Sequence, residues 1–149
     1  MASTASTIRL EVVTPDRMVL SEDVDIAVAT GTEGEFGVLH QHIPFLATLA
    51  EGELRYRLGG AVHYLAVNGG LAQVLSDKIT ILAESAELAR EIDVNRALHA
   101  RERAEKRLAE AKREELEHTR AEAALKRAMI RIKVAAKASG APTTGGLDH

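Results

Sequence analysis

Four arginines between residues 92 and 137 lack a dedicated counter-ion nearby, and guanidinium groups in that condition are equipped to hold anions. Arg103, Arg127 and Arg131 have no Asp or Glu three or four residues away, the spacing at which neighbours on a helix pair. Arg96 has only Asp93, whose carboxylate is placed to cap a helix start. The other cations are matched locally: Arg101 by Glu105, Lys106 by Glu102 and Glu110, Arg113 by Glu110 and Glu117, Arg120 by Glu117, Lys126 by Glu122. Lys133 and Lys137 are also unmatched, but they fall near a helix C-terminus, where the dipole favours cations. A planar guanidinium takes a phosphate or carboxylate through paired hydrogen bonds, which is binding rather than covalent chemistry. The plainer alternative is that each arginine is a solvated face residue.

Other residue types offer less. The stretch from Gly31 to Pro44, GTEGEFGVLHQHIP, carries His40 and His42 two apart, yet no third ligand of the right kind lies near them. It reads as a glycine-punctuated loop with extended backbone at Ile43 ahead of Pro44. There is no cysteine, which excludes a disulfide framework and a thiolate metal site. The glycines do not link a strand to a helix, so no phosphate loop or dinucleotide fingerprint is present. No serine, histidine and acid stand in a nucleophile context, and a free-standing enzyme has no residues to propose.

The arginines sit on a segment whose structure is plain from its letters. From Ile92 to Lys137 there is no glycine, proline or aromatic residue, and Ala, Arg, Lys, Glu and Leu dominate. Ala97, Ala100, Ala104, Leu108 and Ala111 recur at helical spacing, the expected apolar positions then become Glu114, Glu115 and His118, and the stripe resumes at Ala121, Leu125, Ala128, Ile132 and Ala135. Two helices follow, with a corner near Lys112 to Glu115. Without a helix breaker there, a hairpin and one continuous rod are both sterically open. At about 0.8 kcal/mol per buried methylene, a stripe of alanines holds a hairpin weakly. The segment is therefore expected to be a two-state element that a ligand or partner biases.

The first part of the chain reads differently. IRLEVV (Ile8 to Val13) alternates, Val24, Ile26 and Val28 repeat the pattern with Asp23 and Asp25 outside, and Leu54 to Leu58 turns at Gly59-Gly60 into Val62, Tyr64 and Ala66. Asn68-Gly69-Gly70 and Ser76-Asp77 mark further turns. Closely spaced strands without helices between them predict an antiparallel sandwich or flattened barrel. The expected class is thus α+β, with a tail at 1–7, a β-sandwich at 8–88, a two-helix antiparallel hairpin at 89–138 and a tail at 139–149.

Charge divides the same way. Residues 1–89 hold five Lys and Arg against twelve Asp and Glu, and residues 90–137 hold fourteen against nine, so the net charge of -3 hides an acidic front and a basic back. That asymmetry points to an anionic partner for the helices. No apolar run approaches the roughly 20 residues that span a bilayer. MASTAST has neither a basic region nor a hydrophobic core, so the chain is expected to stay in the compartment where it is made.

In order along the chain, VVTPD (Val12 to Asp16), GEFGVLHQHIP (Gly34 to Pro44), VNGGL (Val67 to Leu71), KITILAESAE (Lys78 to Glu87), IDVNRA (Ile92 to Ala97) and LKRAMIRI (Leu125 to Ile132) resemble the epsilon subunit family of the bacterial rotary proton-translocating ATP synthase. The family commonly has Pro-Gly where this chain has His40-Gln41. The resemblance implies a sandwich of about ten strands that docks on the gamma subunit and the membrane ring, through a loop holding Gly37, His40, His42 and Pro44. It implies C-terminal helices that pass between a compact hairpin and an extended form reaching the catalytic head and inhibiting ATP hydrolysis. It also implies a non-catalytic subunit, with no required cofactor and no metal, peripheral to the cytoplasmic face of the inner membrane. In some members ATP binds the compact hairpin through [IL]-D-x-x-R-A, matched here by Ile92, Asp93, Arg96 and Ala97, with similar positions at Glu87, Arg103, Arg127 and Arg131. The competing reading is a β-domain whose basic hairpin binds nucleic acid. The absence of any aromatic after Tyr64 and the interleaved glutamates weigh against it.

Overall fold

The computed structural model describes residues 7–111 and 115–139. The expected tails lie outside them but for Thr7 and Ser139, and so does the expected corner but for Glu115.

Alternating apolar residues build a ten-stranded sheet that wraps on itself: β1 (Ile8–Val13), β2 (Met18–Val24), β3 (Ile26–Gly31), β4 (Gly34–Val38), β5 (Phe45–Leu49), β6 (Gly52–Leu58), β7 (Ala61–Asn68), β8 (Gly70–Val74), β9 (Lys78–Leu82) and β10 (Ser85–Leu88). The path is β10-β7-β6-β3-β5-β8-β9-β1-β2, with β4 paired to β3. Its two ends, β10 and β2, touch. Every pairing is antiparallel except β1 with β9, where Leu10 lies opposite Ile79. Ile8, Leu10 and Val12 of β1, Leu54 and Leu65 of the β6-β7 hairpin, and Ile79 and Ile81 of β9 are the large side chains at the centre of the core.

Two local expectations give way. Val24 and Ile26 do not share a strand: the chain breaks at Asp25, whose amide donates to the Arg57 carbonyl at 2.8 Å, and β3 begins afresh beside β6. Ile26 through Ala29 are all buried, because Ile26 and Val28 pack beneath Val62 on the outer side of the sheet. The stretch from Gly31 to Pro44 is likewise only partly loop. Gly34–Val38 hairpins back on β3, and Phe36 meets Phe45 edge to face with ring centres 5.4 Å apart.

One turn depends on glycine in the strict sense. Gly70 has φ +117°, and a Cβ there would run into the Leu82 carbonyl oxygen across the β8-β9 pair. After β10, a 3₁₀ turn at Ala89–Glu91 leads to α1 (Val94–Glu110) and α2 (Glu115–Ser139).

Candidate functional site

The joint between sheet and helices is built from the residues singled out as a motif, and each has a visible structural task. Ile92 is buried with Val134 and Ala135 of α2 and with Tyr64 and Ala66 of β7. Asp93 is the N-cap of α1, its carboxylate accepting from the Arg96 amide at 3.0 Å. Ala97 is fully buried, as only a small side chain allows where two helices close on each other. Arg96 alone among them presents an exposed side chain free of structural work among the described residues.

Ile92 packs near the end of α2 while Leu108 shares a groove with Leu125, so the helices run antiparallel. Ala97 and Ala104 of α1 and Ala121 and Ala128 of α2 are the buried residues of this seam. Leu108, Leu125 and Ile132 are half-buried. Of the expected local pairs, Arg101 meets Glu105 and Arg120 meets Glu117, while Glu122 is taken by His118. Arg113 lies outside the described residues.

A second face of α2 docks on the β-domain. Ile130, Val134 and Ala135 cover Val62, Tyr64 and Ala66. Around this small apolar patch, three cations of α2 find carboxylates of the β-domain. Arg127 reaches Glu51 at 3.3 Å. Arg131 holds Glu87 with two hydrogen bonds, of 2.6 and 3.0 Å. Lys137 pairs with Glu53 at 2.5 Å, its ammonium 4.7 Å from the centre of the Tyr64 ring. Glu53 is also bonded by Arg55, which in turn holds Glu35 at 2.9 Å. The Glu35 hydrogen bond is the main reason that the buried Arg55 guanidinium binds its proton more tightly than usual, against the opposing effect of burial.

The hairpin therefore divides the four arginines into two pairs. Arg127 and Arg131 line a small cleft with Glu51, Asn68, Ser85 and Glu87. Arg96 and Arg103 lie exposed on α1, outside that cleft. Glu51 and Glu53 are the site residues that sequence reasoning missed. They lie far from α2 in the chain, and the one trace of them was the acidic front half facing a basic back half.

The expected docking loop is 39–44 rather than a wider segment, and Gly37 belongs to β4 opposite Val28. His40 Nδ1 donates to the Thr7 carbonyl at 2.9 Å and His42 Nδ1 to the Ile43 carbonyl at 2.7 Å. No group of three metal-ligating side chains occurs among the described residues. The His42 amide closes a turn on the Leu39 carbonyl at 3.2 Å, with Gln41 at φ +65°. Gln41 thus takes the left-handed conformation that a Pro-Gly turn would give to glycine. Beside this loop the surface is apolar: Ile43 is 79% and Leu46 70% exposed, with Pro44 exposed between them. Leu71 and Leu82, paired across β8 and β9, are exposed as well.

Residues 7–89 match the family model described as ATP synthase, Delta/Epsilon chain, beta-sandwich domain, and residues 90–136 match the long alpha-helix domain of the same chain. The chain belongs to the ATP synthase epsilon chain family. It is 62% identical over 133 residues to the ATP synthase epsilon chain of Syntrophobacter fumaroxidans, covering 89% of this chain and 98% of the relative. It is 55% identical over 127 residues to that of Nitratidesulfovibrio vulgaris, covering 85% and 94%. Among solved structures, it is similar to a chain of the Euglena gracilis mitochondrial ATP synthase in an assembly of OSCP, F1 and c-ring, with TM-score 0.71, 28% identity, and 81% and 76% of the two chains covered. A chain of the Tetrahymena thermophila mitochondrial enzyme shares the fold, with TM-score 0.56 at 13% identity over 86% and 96%. The epsilon chain is thus a subunit of ATP synthase. No described helix is long and apolar enough to cross a membrane.

Proposed function

We propose that this epsilon chain is a non-catalytic central-stalk subunit that couples the membrane ring to the catalytic head and restrains ATP hydrolysis by moving its helices between compact and extended forms. The observation that carries this reading is the nature of the grip on α2. An alanine seam, a small apolar patch and three partly exposed ion pairs hold it, and pairs of that kind contribute about 1 kcal/mol or less each. A grip of this size is within reach of what a partner contributes.

The β-domain is the part that docks. Its apolar surface at Ile43, Leu46, Leu71 and Leu82 is suited to the gamma subunit and the membrane ring, and the freed helices to the catalytic head. In this reading the subunit is peripheral, on the cytoplasmic face of the bacterial inner membrane, in a machine that translocates protons. Removing residues from Arg90 onward leaves a β-domain that still assembles and releases ATPase inhibition. Loss of assembly by that truncated form overturns the division of labour.

ATP is the proposed regulatory ligand of the compact form. Its phosphates compete with Glu51 and Glu87 for Arg127 and Arg131, while Arg96 and Arg103 supply charge from α1. Calorimetric titration of ATP into the chain and into Arg127→Ala tests this, with a weaker response expected from the variant. Equal responses reject it. Nucleic acid is the poorer partner, because the helices carry no aromatic residue for base stacking and their cations are interleaved with glutamates.

A further inference from the structure

We infer that the β-domain surface beneath α2 is a receptor for a basic amphipathic helix, and that when the hairpin opens it accepts α2 from a second copy of this chain. The inference rests on the opening proposed above.

The receptor's chemistry is on view. An apolar row of β7, Val62, Tyr64 and Ala66, is bordered by Glu51, Glu53 and Glu87. Its occupant must carry branched apolar residues on one face with cations at the spacing of Arg127, Arg131 and Lys137. Within this chain that pattern belongs to α2, so a second copy's α2 is complementary residue for residue.

Geometry then separates the chain from its own receptor. The sequence from Ala111 to Glu115 has no glycine or proline, so nothing in it bars the two helices from joining into one rod. At 1.5 Å per residue, Arg127 in such a rod stands roughly 50 Å from the start of α1, beyond the reach of Glu51 in the same chain. Two rods lying side by side in opposite directions restore the α2 contacts, with α1, with the 3₁₀ turn at Ala89–Glu91, with β6 and β7 and with Glu87 of β10, between copies. The exchange neither gains nor loses side-chain contacts, so concentration governs it.

The chain has no cysteine, so single thiols report without background. Glu35 and Lys133 line one cleft between the sheet and α2, and Lys133 forms no ion pair among the described residues. Copies carrying Glu35→Cys are mixed with copies carrying Lys133→Cys at high concentration, and a short thiol-to-thiol crosslinker is added. A covalent dimer with one copy of each, several-fold above the dimer from either variant alone, is expected. Introducing Glu115→Pro into both removes that excess: proline suits the first position of α2 but interrupts a continuous helix. A mixed dimer no more abundant than the single-variant background, or unchanged by Glu115→Pro, overturns the inference. Sedimentation of the unsubstituted chain repeats the test without substitutions. Mass that rises toward twice the monomer with concentration supports the exchange, and mass constant throughout rejects it. Joining Glu35→Cys to Lys133→Cys within one chain of the assembled enzyme addresses the switch separately, because ATPase that ignores the bridge defeats the switch reading and leaves the dimer test intact.

Discussion

Arg131 and Glu87 meet as a fork on a carboxylate, with Nε 2.6 Å from one oxygen and Nη2 3.0 Å from the other, and the contact ties the middle of α2 to the last strand of the sheet. Lysine has no second donor in that plane, so Arg131→Lys keeps the charge and loses the geometry. Both side chains are partly exposed, which limits the contact to about 1 kcal/mol. Arg131→Lys and Glu87→Gln should each raise hydrogen exchange in the last turns of α2 by several-fold. In the unsubstituted chain the same loosening should appear on going from low salt to about 1 M, where screening acts within a few ångströms.

Asp93 caps α1 through the Arg96 amide alone, so Asp93→Ala should cost about 1 kcal/mol and fray the first turn. Exchange at the amides of residues 95–97 should rise, while β-domain amides stay protected. Asp93→Ser, which caps equally well, should restore the protection. If ATP binding is lost in Asp93→Ala and regained in Asp93→Ser, the residue acts by placing Arg96.

Gln41 sits at φ +65°, where a residue with a Cβ costs about 1–2 kcal/mol. Gln41→Gly should therefore stabilise the β-domain by up to about 1 kcal/mol after the entropy of glycine is counted. The midpoint of thermal unfolding should rise by a few degrees. Gly70→Ala is the opposite case, because the Leu82 carbonyl blocks a Cβ. It should lower the midpoint by ten degrees or more, or prevent folding.

Ala104 is buried in the helix seam, and Ala104→Leu places three more carbons where none fit. The expected result is a hairpin shifted to the open form, read as a longer distance between labels on α1 and α2. Thermal unfolding of the β-domain should be unaffected.

Tyr56 is buried in the sheet core, and burial raises its phenol above the ordinary value near 10. A raised folded-state value means that the folded state holds the proton more tightly. The stabilisation is complete below the ordinary value and is lost as pH rises through the folded one. Tyr56→Phe should flatten the alkaline limb of the stability profile above about pH 10. An unchanged limb would show that another group controls it.

What was legible in the sequence was local. Asp93 as a cap, the alanine stripe and the Gly59-Gly60 hairpin follow from neighbours within a few positions, and the structure has all of them. The partners of Arg127 and Lys137 are hidden from such a reading, because pairing at helical spacing says nothing of a carboxylate 76 or 84 residues earlier. Glu87 was anticipated beside the arginines only through family resemblance. β4 reads as loop in the sequence because Gly34 and Gly37 dilute its alternation, whereas its pairing with β3 is decided by tertiary packing.

The parallel pairing of β1 with β9 has a consequence for how the molecule is made. A nascent chain holds Leu10 long before the strand that covers it, which arrives only with Ile79. Closing so long a loop is costly in chain entropy, so the sandwich is expected to seal late in synthesis, just before the helices emerge. The joint at Ile92 then meets a finished surface, and the hairpin is the last piece to settle and the first that can be released.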